Sequence, residues 1–96
     1  MFNAWFDQID AVAASRVTKS LTKLERGVGD CKGVGAGVSE LRVDFGPGYR
    51  VYFGQDGETL VILLCGGSKK RQQADIDTAK SLWNDYKMRK RAKLTK

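Results

Sequence analysis

The sequence predicts an α+β domain with two N-terminal helices, a three-stranded antiparallel meander and a C-terminal helix. Apolar residues recur at helical spacing before residue 28 and again from residue 74, while between residues 41 and 53 the period drops to two. Gly46-Pro47-Gly48 and Asp56-Gly57 punctuate the alternating part as turns. Ninety-six residues make a single domain, 1–96, divided as a helical hairpin over 1–28, a sheet over 38–66 and a helix over 72–90 with a basic tail to 96.

The first element is a short helix carrying Phe2, Trp5, Phe6 and Ile9. A second follows, because Ala13, Val17, Leu21, Leu24 and Val28 form one stripe, with Asp10 placed to cap it and Gly27 and Gly29 to end it. Arg16, Lys19, Lys23 and Arg26 occupy its opposite face, which reads either as a solvated surface or as a ridge that contacts phosphates. From Gly27 to Gly37 five glycines in eleven residues mark a loop; GVGAGV there lacks the preceding strand and following helix of a dinucleotide site.

Leu41, Val43 and Phe45 then alternate with Glu40, Arg42 and Asp44, and Tyr49, Val51 and Phe53 alternate with Arg50 and Tyr52. The pattern puts Glu40, Arg42, Asp44, Arg50 and Tyr52 on one sheet face, either a solvated face or an anion platform. The third strand, Thr59 to Cys65, is apolar on both faces and is expected to be covered on both sides. Gly66-Gly67 then delivers Lys69, Lys70 and Arg71 at its end, and three adjacent cations repel one another unless an anion neutralises them. Ile76, Ala79, Trp83 and Tyr86 define the last helix, with Asp75 and Asp77 at its positive N-terminal end.

The formal net charge of +6 belongs to the tail, since residues 87–96 hold six of the 17 Lys and Arg and no acid. Cys31 and Cys65 lack metal-ligand spacing and the chain has no histidine, so they read as two unpaired thiols, and neither metal nor cofactor is expected. No apolar run is long enough for a membrane helix and MFNAWFDQID does not have the form of a signal peptide, which predicts a cytoplasmic protein without membrane contact.

Cleavage of RNA by its own 2′-hydroxyl needs a proton acceptor, a donor to the leaving oxygen, and cations for the charge on phosphorus. Arg42 and Arg50 suit the last role only, because a guanidinium does not give up its proton. Glu40, or a lysine of the cluster, is the candidate proton carrier, and Tyr52 is a candidate stacking surface or a packing residue.

FNAW near the start, GVGDCKGVGAGVSELR, GPGYRVYF and LLCGGSKKRQQADI together resemble the HigB-like addiction-module killer proteins of the RelE/ParE toxin superfamily, over roughly residues 2–83. The resemblance implies the toxin of a type II toxin–antitoxin pair, with a helix-turn-helix antitoxin as partner. It also implies metal-independent cleavage of messenger RNA, in many relatives at the ribosomal A site. By position Arg50 matches a phosphate-contacting cation, Arg42 falls near a family lysine, Lys70 matches a later arginine, and adjacent Lys69 is able to substitute. These four are the candidate catalytic residues; Glu40, Tyr52, Arg71, Lys23 and Arg26 are the candidate RNA contacts.

Two departures stand out. Ile76 falls about where RelE-like enzymes carry a tyrosine, and the chain opens on a helix where relatives have a first strand, which predicts a bare sheet edge. A ParE-like inhibitor of DNA gyrase, or a binding module without catalysis, fits the same fold.

Overall fold

The computed structural model describes residues 1–57 and 60–94. In chain order the elements are α1 (Phe2–Gln8), α2 (Ala11–Glu25), β1 (Cys31–Gly35), β2 (Val38–Val43), β3 (Tyr49–Asp56), β4 (Leu60–Ser68), a 3-10 turn (Lys69–Arg71) and α3 (Gln72–Leu94). All strand pairs are antiparallel, in the order β1-β2-β3-β4.

The sheet therefore has four strands where the sequence predicts three. The additional strand, β1, lies inside the glycine-rich segment read as a loop. It is an edge strand with mostly exposed residues, so it carries no alternating apolar signal. Its turn into β2 is Ala36-Gly37, both at positive φ (55° and 82°), as a two-residue hairpin of the primed type requires.

The caps follow the sequence. Ala13 N–H donates to Asp10 Oδ1 at 2.9 Å, opening α2. At the other end Gly27 adopts φ 75°, and the N–H groups of Gly27 and Val28 return to Leu24 O and Lys23 O, each at 2.9 Å. That pair of bonds is a Schellman motif, so the helix stops before Val28, which is exposed rather than part of the packed stripe.

Helices cover both faces of the sheet. On one face α1 and α2 bury Phe2 and Val17 against Leu41, Val43, Val51 and Phe53; on the other α3 buries Ala79 and Trp83 against Val38, Tyr52, Leu64 and Cys65. The strand face expected to be solvated is thus half core, and both Glu40 and Tyr52 on it are fully buried. The alternation assigns the residues to faces correctly; what it lacks is that a third helix returns over the polar face.

β4 is packed from both sides, as expected. A bulge opposite Tyr52 and Phe53 breaks its alternation, so that Leu64 and Cys65 both meet α3 while Leu63 joins the opposite cluster. Thr59, the expected first residue of this strand, lies outside the described residues.

Two glycines on opposite faces admit the tryptophans. A Cβ built on Gly54 would lie 2.4 Å from the Trp83 ring, and one on Gly66 would lie 2.4 Å from the Trp5 ring. Each indole therefore lies flat on bare backbone. α3 runs to Leu94, past residue 90 where the tail is expected to begin. Its distal part is fastened to the β3 end, where Asp56 accepts hydrogen bonds from Tyr86 Oη and Lys90 Nζ, each at 2.6 Å.

Candidate nucleic-acid interface

Arg42 on β2 and Arg50 on β3 are directly opposed across the sheet. Two like charges in that position repel unless something lies between them. That group is Glu40: its Oε1 stands 3.3 Å from Arg42 Nε and 3.5 Å from Arg50 Nε. The Arg42 contact is a hydrogen bond, whereas Arg50 Nε has only the ionic contact. The other carboxylate oxygen accepts from Gln72 Nε2 of α3 at 2.7 Å. Glu40 is thus fully used by protein groups, and no part of it faces solvent.

Because both arginines meet Glu40 through Nε, the carboxylate does not occupy their terminal nitrogens. Arg50 Nη1 donates to Tyr49 O at 3.2 Å, and the Arg42 side chain is 38% exposed. Lys69 joins them from the 3-10 turn. Its N–H donates to Gly48 O at 2.8 Å, and the site of a Cβ on Gly48 is 3.6 Å from both Arg50 Nη1 and Lys69 Cβ. The structure therefore brings together Glu40, Arg42, Arg50 and Lys69.

The other residues singled out in the sequence are dispersed. Lys70 and Arg71 are exposed on the same turn. Lys23 lines a separate groove of about 540 Å³ between α2 and β2, together with Arg16, Lys19 and Arg42; Arg26, exposed at the α2 C-cap, does not line it. Tyr52 offers no surface on which a base could stack. Its hydroxyl is buried, and although close enough to Glu40 to feel its charge, it lacks the geometry of a hydrogen bond. Burial first, then the Glu40 charge, raises its pKa.

Two residues of this region escape a sequence reading. Gln72 acts through a contact across 32 positions, for which no local pattern exists. Asp75, read only as a helix-dipole charge, lies against Gly67: a Cβ there would overlap its carboxylate, and Oδ2 is buried without a hydrogen-bond partner. Burial raises its pKa and the Arg71 charge opposes the shift. Adjacent glycines at a strand end, followed eight residues later by an acid on a helix, are the available signal.

Cys31 and Cys65 are both free thiols. Among the described residues no group of three His, Cys, Asp or Glu is placed to hold a metal ion, and no helix is long and apolar enough to cross a membrane.

Residues 4–84 match the family described as "Phage derived protein Gp49-like (DUF891)". The chain belongs to the Gp49-like family. A relative from Haemophilus influenzae, strain Rd, described as "Uncharacterized protein", is 42% identical over 83 residues, which cover 84% of each chain. No solved structure is significantly similar. The Gp49-like family is a RelE/ParE-like toxin family associated with toxin–antitoxin pairs, and membership implies a cognate antitoxin as partner.

Proposed function

We propose that this Gp49-like protein is a HigB-like toxin of a type II pair that cleaves messenger RNA, with Arg42, Arg50 and Lys69 around the scissile phosphate. The observation that carries this reading is the grip of one buried carboxylate on two opposed arginines through Nε, which pre-positions the forks for an anion. An anion entering here meets cations already oriented.

In this reading the 2′-oxygen attacks phosphorus as the bond to the 5′-oxygen breaks. Arg42 and Arg50 stabilise the charge that develops on the non-bridging oxygens. Lys69, on an exposed turn beside Arg50, is the side chain placed to protonate the leaving 5′-oxygen, and Lys70 is its neighbour on the same turn. Glu40 positions the arginines rather than moving the proton, because its oxygens are engaged and buried.

Induction of the toxin followed by mapping of transcript ends tests this. New 5′-hydroxyl ends and growth arrest, both abolished by Arg50→Ala and Lys69→Ala in variants that remain folded by circular dichroism, are the expected result. Intact messages accompanied by DNA damage would instead favour a gyrase inhibitor.

A further inference from the structure

Beyond the phosphate cluster, a pocket of about 290 Å³ at the end of β4 is lined by Trp5, Tyr49, Gly67, Ser68, Arg71 and Asp75. Its construction depends on the Gly66-Gly67 pair. Gly66 seats the Trp5 indole on one face of the strand, and Gly67 seats the Asp75 carboxylate on the other. Trp5 and Tyr49 are half-buried, with ring centroids 6.2 Å apart and planes at 60°. Asp75 carries a buried oxygen without a donor, and Arg71 supplies the neighbouring positive charge.

We propose that this pocket receives one unpaired guanine, stacked on the Trp5–Tyr49 wall, with Asp75 accepting from its Watson–Crick edge and Arg71 donating to its O6 and N7. Aromatic walls take the face of any base. Selection lies in the acid and the arginine. Guanine presents adjacent N–H donors at N1 and N2, which match a carboxylate, and two acceptors at O6 and N7, which match a guanidinium. Adenine and cytosine turn a bare ring nitrogen toward the acid, and uracil offers it a single N–H. Tyr49 precedes Arg50 in β3 and Ser68 precedes Lys69, so the pocket and the phosphate cluster share two stretches of backbone. A base here would fix which phosphate reaches Arg50.

The inference deepens the RNA reading above and rests on it. Its test is calorimetric binding of GMP, AMP, CMP and UMP to the intact protein at neutral pH and low salt. GMP is expected to bind at least about tenfold more tightly than the other three, as one good bidentate base contact provides. Guanosine is expected to keep the order without its phosphate, and Asp75→Asn to remove the preference while leaving overall affinity. Arg50→Ala should weaken all four nucleotides alike and leave the order intact.

Equal binding of all four nucleotides, lost together in Arg50→Ala, would overturn the base pocket and leave the phosphate cluster standing. Absence of binding by all four would also overturn it, with transcript-end mapping still deciding the nuclease reading. The wild-type comparison needs no variant, so misfolding of Asp75→Asn does not blunt it.

Discussion

Gln72 Nε2 donates to Glu40 Oε2 at 2.7 Å, so the first residue of α3 is hydrogen-bonded to the buried carboxylate that lies between Arg42 and Arg50. The start of the covering helix and the charge arrangement of the cluster are therefore coupled. Glu40→Gln keeps the side-chain shape and removes the charge, leaving Arg42 and Arg50 opposed without a counterion. A loss of about 3 kcal/mol is expected from urea unfolding, as for breaking one partner of a buried pair. In the double variant with Arg50→Met the loss should be smaller than the sum of the single losses.

Gly54→Ala places a methyl group where Trp83 lies, at 2.4 Å from its ring. The indole must move, and both residues are buried. Destabilisation of about 1–3 kcal/mol is expected, as for other overpacked cores. Gly33→Ala, with nothing within 4 Å of the new methyl group, is the control and should differ little from wild type by thermal unfolding.

The clasp of Asp56 with Lys90 and Tyr86 has a defined pH window. Hydrogen bonds from Lys90 and then Tyr86 lower the Asp56 pKa, so its contribution is present above the ordinary carboxylate value and lost as pH falls through the lowered one. The Lys90 and Tyr86 values are raised, first by the bond to Asp56, so their contribution is present below their ordinary values and lost at strongly alkaline pH. Amide exchange in the last turns of α3, corrected for its intrinsic rate, should be slowest between these limits. Asp56→Asn should accelerate it at neutral pH, and salt should weaken the difference.

The two thiols should differ in reactivity. Cys65 is buried and its pKa is pushed up to about 11, first by burial and then by the Asp75 charge. Cys31 is exposed, with a pKa also raised, by burial and the Asp30 charge. At pH 8 iodoacetamide should label Cys31 in the native protein and label Cys65 only after denaturation, as read by mass spectrometry. Equal native labelling would mean that α3 opens readily from β4.

The sequence by itself determined the periodic part of this protein. Helical spacing located α2 and α3, Asp10 and Gly27 bounded α2, and alternation separated Leu41, Val43 and Phe53 from Glu40, Arg42 and Arg50. It also brought Arg42, Arg50 and Lys69 into view together, because strand pairing and a short turn are local relations. β1 was illegible since an exposed glycine-rich edge strand buries too little to need a pattern. Only the tertiary structure decided what α3 does. By crossing the polar face it turned Glu40 from a candidate base into a buried counterion and Tyr52 from a stacking surface into core, and it carried Asp75 onto Gly67. Burial and charge pairing between distant segments depend on how layers pack, which spacing along one strand does not encode.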